Sequence, residues 1–254
     1  MRPVPVSVLL VALLAAPLWS GCLTQIAGAQ ADLPADYIRS SRYGTWVVEV
    51  DYAQGHKPAN ALLDFLHDRL AAHVAKPGGI RFQLSTTLPA DNRAWSDSEL
   101  QSLAQANADL KTEGDTVVTH LLFVTGHSSA DSGSAKVLGV TYGWETIVIF
   151  VDSVDSSCDQ IPLGILCSTD PIYKSTTLHE FGHAIGLVNR GTPMVHPHEA
   201  STCNNQSDHG HSSNQGSVMY CAVETNQIAQ LFGQNPPDDF DSNDKADLAA
   251  VKSS

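Results

Sequence analysis

The chain is poor in basic residues. Only 14 Lys and Arg stand against 27 Asp and Glu in 254 residues, a formal net charge of −13 at pH 7. A chain so charged is repelled by phosphate backbones, which excludes nucleic acid as a partner. No run of like charge is long enough to serve as a binding tail; the most acidic stretch, residues 238–247, is short. Internal repeats and low-complexity segments are absent, which excludes a repeat array. Long apolar runs are absent too, apart from residues 4–19, which Pro17 interrupts and which are short for a spanning helix. Cysteine is scarce: there are five, and no two have the CxxC spacing of a zinc knuckle, so none is read as a metal ligand. What remains is ordinary globular composition, 43% hydrophobic and 16% charged, long enough for one sizeable domain.

The N-terminus carries its own signal. Arg2, the apolar run and the small residues Ser20 and Gly21 before Cys22 read as an export leader. The end of that leader resembles a bacterial lipobox, with Trp19 where Leu is usual. That resemblance implies lipidation of Cys22 and a membrane contact through the anchor alone; plain secretion is the alternative. Four cysteines then remain, Cys158, Cys167, Cys203 and Cys221, an even number in an oxidising compartment, which suggests two disulfides. Cys158 with Cys167 would close a short loop and Cys203 with Cys221 a longer one. Three pairings are open to the sequence, as are free buried thiols. The expected organisation is a leader at 1–21, a tether at 22–40 and one domain at 41–254.

Within the domain, residues 45–51 are rich in β-branched and aromatic side chains and predict a strand. After Pro58, Leu62, Leu63, Leu66, Leu70 and Val74 recur at helical spacing until Pro77, Gly78 and Gly79 stop the helix. Residues 80–84 alternate as a second strand. Ser96 and Glu99 have capping-box spacing for a helix to about residue 110. Residues 117–124 predict a buried strand, and 138–142 and 147–151 two more. A polar loop is expected over 152–170, a helix over about 172–187, an irregular stretch to Ser217, and short helices over 224–232 and about 241–251. The order predicts one α/β (α+β) domain: a mixed sheet, a long helix late in the chain and a loop-rich C-terminal part.

That late helix carries the chemistry. His179-Glu180-Phe181-Gly182-His183 sets two imidazoles four residues apart, on one helix face, able to grip one metal ion. Glu180 stands beside the first of them. From there its carboxylate reaches a metal-held water without being a ligand, takes its proton as the water attacks a carbonyl, and hands that proton to the leaving amine. The expected cofactor is Zn2+ and the expected substrate a peptide or protein. Gly186 follows where the chain must leave the helix sharply, and Met219 lies downstream in Ser217-Val218-Met219-Tyr220.

With these residues the chain resembles the metzincin clan of zinc peptidases, whose pattern is HExxHxxGxxH followed by a Met-turn. The resemblance covers about residues 138–224. It implies a twisted mixed sheet, an active-site helix ending at Gly186, Met219 as an apolar floor under the metal, a third ligand beyond the helix, and oxyanion support by Tyr220. The strands at 138–142 and 147–151 fall where that clan places the edge that aligns an extended substrate. The pattern's third ligand position is Asn189, and an amide oxygen is a weak zinc ligand. His196, His198, His209 and His211 are the other candidates. His211 is favoured, because His211-Ser212-x4-Ser217-Val218-Met219 resembles the archaemetzincin arrangement, with Ser where that family has Cys. A Cys203–Cys221 bond would then staple the insertion to the Met-turn. Glu224 is read as the start of the next helix. The sequence holds no cysteine-bearing propeptide between leader and domain, so latency by a cysteine switch is not expected. A monomeric, lipid-anchored envelope endopeptidase is the reading. A non-catalytic zinc-binding envelope protein, and a zinc hydrolase of cell-wall peptides, are its rivals.

Overall fold

In the computed structural model, residues 33–159, 161, 167–203 and 206–253 are described. The leader and Cys22 lie outside them. The helices are α1 (Ala35–Ile38), α2 (Asn60–His73), α3 (Asp97–Asn107), α4 (Val151–Asp155), α5 (Thr169–Ala184), α6 (Gln227–Phe232) and α7 (Ser242–Lys252). The strands are β1 (Thr45–Ala53), β2 (Gly79–Leu88), β3 (Ala94–Trp95), β4 (Thr116–Val124), β5 (His127–Ser128), β6 (Gly139–Tyr142), β7 (Thr146–Phe150), β8 (Thr202–Cys203) and β9 (Gln206–Ser207). The fold is α/β. Its main sheet has the order β2-β1-β4-β7-β6, parallel throughout except that β6 runs antiparallel to β7 at the edge.

Alternation along the strands explains why helices cover both faces. Leu121 and Phe123 of β4, and Ile147 and Ile149 of β7, join the core that α2 and α5 complete with Leu66, Leu70, Leu178 and Phe181. Their neighbours Leu122, Val124, Val148 and Phe150 face the other way, onto Trp95, Leu100 and Ala104 around α3. Buried on both sides, these strands read as continuous apolar runs. The capping box at Ser96 and Glu99 starts α3 as its spacing predicts. On β1, Glu49 and Asp51 interrupt the apolar pattern. Glu49 accepts the backbone N–H groups of Asp109 (2.9 Å) and Leu110 (3.0 Å), and so pins the chain that leaves α3. Asp51 pairs with His120 Nε2 at 2.8 Å and accepts Thr86 N at 2.7 Å.

Three expectations need correction. The tether does not run to residue 40: α1 packs into the domain, with Tyr37 and Ile38 fully buried. Tyr37 packs at a tilt against Trp46, ring centroids 5.3 Å apart, and donates to Val118 O. One apolar pair is too short to show periodicity, so the segment reads as irregular. Second, the loop expected over 152–170 begins as α4 and a 310 turn, Ser156–Cys158, because Val151 and Val154 are buried one helical turn apart. Third, the helix expected from Glu224 is divided. A 310 turn, Cys221–Glu224, comes first and α6 begins at Gln227, which leaves Glu224 facing elsewhere.

Lys76 fastens the N-terminal segment. Its Nζ donates to the carbonyls of Asp36, Arg39 and Tyr43 at 2.5–2.7 Å. Lys76→Met keeps the stem but leaves three carbonyls without that donor, and is expected to lower stability by about 2–4 kcal/mol in urea unfolding. An unchanged midpoint would show that the clamp contributes nothing. Among the described residues no helix is long and apolar enough to cross a membrane.

Candidate metal centre

Helix α5 is buried along its last three turns, and this sets the site. Its end is built by Gly186, at φ 76°, in the left-handed region that favours glycine. Gly186 N donates to His183 O (3.0 Å) and Leu187 N to Gly182 O (2.9 Å), the paired bonds of a Schellman stop. Asn189 continues the turn at φ 64°. Gly182 has a separate reason to lack a side chain: a Cβ there would overlap the sulfur of Met219, which is fully buried against the helix.

The segment that carries Met219 also ties the histidines in place. His179 Nδ1 donates to Val218 O at 2.7 Å. Ser212 N donates to Met219 O at 2.7 Å, which holds His211 beside the same turn. His211 Nδ1 pairs with Asp208 Oδ1 at 2.8 Å. Both contacts leave the Nε2 atoms of His179 and His211 free to face a metal, the outer-shell pattern common to metal-binding histidines. The rings of His179, His183 and His211 are packed together, with centroids 4.6, 5.2 and 5.0 Å apart.

One ligand atom each from His179, His183, His211 and Glu224 lie within 4.8 Å of one another. His179 Nε2, His183 Nδ1 and His211 Nε2 are buried with no hydrogen-bond partner. Orphaned nitrogens of this kind are costly in a fold unless something binds them, so the donor set fits a metal ion. His183 already has the neutral ring a ligand needs, whereas His211 must give up a proton to bind an ion. Burial, with His179 and His211 close by, holds His183 well below its ordinary pKa, which keeps the ring neutral. Burial alone would lower His211 too, but Glu224 and Asp208 outweigh it and lift the imidazole to about 9. Burial would raise Glu224, but His179 and His211 reverse this and hold its carboxyl well below the usual range.

Glu180 stands apart from that set. Thr141 Oγ1, on β6, donates to Glu180 Oε2 at 2.7 Å and also to its backbone oxygen at 3.0 Å. Gly139, two residues back on the same strand, makes room: a Cβ there would lie 2.8 Å from Glu180 Cγ. The other carboxylate oxygen, Oε1, is buried and unpartnered. Burial pushes the Glu180 carboxyl up to about 7, partly against the pull of His179. That value suits a group that takes and returns a proton near neutral pH.

No family model and no curated protein matches the chain. It is similar to archaemetzincin from Methanopyrus kandleri. That crystal structure shares 13% identity at a TM-score of 0.47, over 83% of this chain and 97% of that one. So distant a likeness carries no weight for the site, whose reading rests on its own residues.

The structure brings His179, His183 and His211 together with Met219 beneath the helix. It does not bring Asn189, which is exposed and donates its amide to Glu199 Oε2 at 3.0 Å. His209 is exposed, its side chain 85% accessible. His196 is exposed as well, and His198 is buried elsewhere, against Asp244 and Asp247. The Tyr220 hydroxyl lies 3.4 Å from Gln215 Nε2. Sequence reasoning missed two residues. Asp208 could have been suspected from its place three residues before His211. Glu224 had no signal, because only the 310 turn aims it at the histidines. Two other groupings fail as metal centres. Both Asp51 oxygens, both Glu49 oxygens and His120 Nε2 already have partners, and Cys203 and Cys221 are bonded to each other.

Cys158–Cys167 and Cys203–Cys221 are both disulfides. The second joins the insertion to the turn that follows Met219. A loop of this length constrains the unfolded chain by about 3 kcal/mol. Replacing Cys203 and Cys221 together by Ala is expected to weaken metal binding more than the fold. The check is metal affinity measured beside far-UV circular dichroism, and an affinity equal to wild type would show that the staple does not hold His211.

Proposed function

We propose that this protein is a zinc-dependent endopeptidase, exported and anchored through lipid at Cys22. The observation that carries the reading is the placing of two kinds of group: three histidines with free ring nitrogens converging on one point, and a buried carboxylate, Glu180, held beside them but outside the ligand set. A purely structural site has no need of that second carboxylate. His179, His183 and His211 would hold the ion, with Met219 as the floor. Zinc, when bound, would polarise the scissile carbonyl and lower the pKa of water to about 7. Glu180 takes the proton of the attacking water on Oε1 while Thr141 steadies Oε2. It then returns the proton to the leaving nitrogen, so that one water and one peptide bond yield a carboxylate and an amine. Among the described residues strand β6 ends the main sheet, and an edge strand suits an extended peptide laid against it. The two disulfides support an oxidising compartment.

The test uses the zinc-loaded protein against casein and a peptide library. Cleavage is expected, lost with 1,10-phenanthroline and restored by added zinc. Protein that binds one zinc yet cleaves nothing in either assay would move the function to binding.

A further inference from the structure

We propose that Glu224 is a fourth protein ligand that closes the metal centre at rest and must swing away before substrate can enter. This rests on the zinc-site reading above and adds its regulation. Glu224 Oε2 lies 3.3 Å from His211 Nε2 and 3.8 Å from His179 Nε2. Two donors each about 2.0–2.2 Å from a tetrahedral zinc stand about 3.3–3.6 Å apart, so the carboxylate oxygen sits at ligand spacing from His211 and within a few tenths of an ångström of it from His179. Both are ion-pair contacts, longer or less well directed than a hydrogen bond. His179 Nδ1 and His211 Nδ1 are committed to Val218 O and Asp208, so the rings cannot turn to offer Glu224 anything else.

The donor count gives the consequence. Three histidines and one carboxylate complete a tetrahedral set, whereas a catalytic zinc keeps one position open. Glu180 is not the extra donor, because it falls outside the group and rests on Thr141. The two carboxylates therefore divide the work: Glu180 moves protons and Glu224 occupies the position that substrate needs. The backbone of Glu224 is fixed on both sides, by Leu138 N donating to its carbonyl at 2.8 Å and by the disulfide at Cys221. Its side chain remains about 33% accessible. A rigid turn with a partly exposed side chain allows the carboxylate to leave by rotation about its own bonds.

Zinc affinity is to be measured by competition with a chromophoric chelator for wild type, Glu224→Gln and Glu224→Asp. In parallel, azide is titrated into the cobalt(II)-substituted proteins while the visible spectrum is followed. Far-UV circular dichroism of the metal-free proteins checks that each variant folds. Glu224→Gln, which keeps the shape but offers only an amide oxygen, is expected to bind zinc at least about tenfold more weakly, the smallest loss seen for a metal's outer-shell partner. Azide is expected to change its cobalt spectrum at a concentration at least about tenfold lower, because the fourth position is free. Glu224→Asp, one methylene too short, is expected to follow Gln. If either the zinc affinity or the azide dependence of the folded variants equals wild type, Glu224 is not a ligand and the proposal is overturned. If wild type itself binds no zinc, the metallopeptidase reading falls with it, a result distinct from an unchanged variant.

Discussion

Glu180→Gln will keep the zinc of the wild type and lose turnover, by about 10²–10⁴-fold for removal of a general base. The geometry separates the two properties. Zinc is retained because Glu180 is not among the converging donors. Turnover is lost because an amide cannot accept the proton that Oε1, buried and unpartnered, is placed to take. The fold should not suffer. The variant keeps the side-chain shape in the space that Gly139 leaves, and its amide oxygen can still accept from Thr141. It also removes a carboxyl whose ionisation burial opposes, pushing it up to about 7. Its thermal midpoint without metal is therefore expected to match or exceed wild type. The measurement is steady-state peptide cleavage beside zinc stoichiometry. Cleavage at the wild-type rate would show that the assigned role of Glu180 is wrong.

His211→Ala will strip the metal, whereas Asn189→Ala will not. Loss of one of three imidazoles should exceed the roughly 10–100-fold that an outer-shell substitution costs in affinity. Asp208→Asn is the intermediate case. It weakens the partner that orients His211 without removing a donor, and is expected to fall within that 10–100-fold range. Asn189→Ala removes only the amide that reaches Glu199, and its zinc affinity should equal wild type. The series is read by chelator competition on folded protein. Zinc retained by His211→Ala but lost by Asn189→Ala would return the third ligand to the position next to the helix and refute the inserted-loop arrangement.

Legibility in the sequence followed the range of the interactions. The helix face with His179 and His183, its stop at Gly186, the capping box before α3 and the apolar strands all depend on residues a few places apart, and each is visible as a local pattern. α1 was not, because Tyr37 and Ile38 gain their burial from Trp46 and Val118, far along the chain. Gly182 shows the same limit in reverse. In the sequence it is a helix-weakening residue inside a motif, and only the packing of Met219 against it gives the reason.

By itself, then, the chain determined an acidic α/β domain with a helical pair of histidines, a glutamate between them and a methionine downstream. Spacing on one helix is enough to set two ligands and a neighbouring base. The tertiary structure decided which distant groups join them. His211 enters because the insertion is held by Glu199, by Asp208 and by the Cys203–Cys221 bond. Asn189 is turned outward by its left-handed backbone and its bond to Glu199. Glu224 faces the histidines because a 310 turn, and not the first turn of α6, carries it. Convergence of this kind depends on long-range packing and on the direction in which each backbone presents its side chain, which no periodicity in the sequence records.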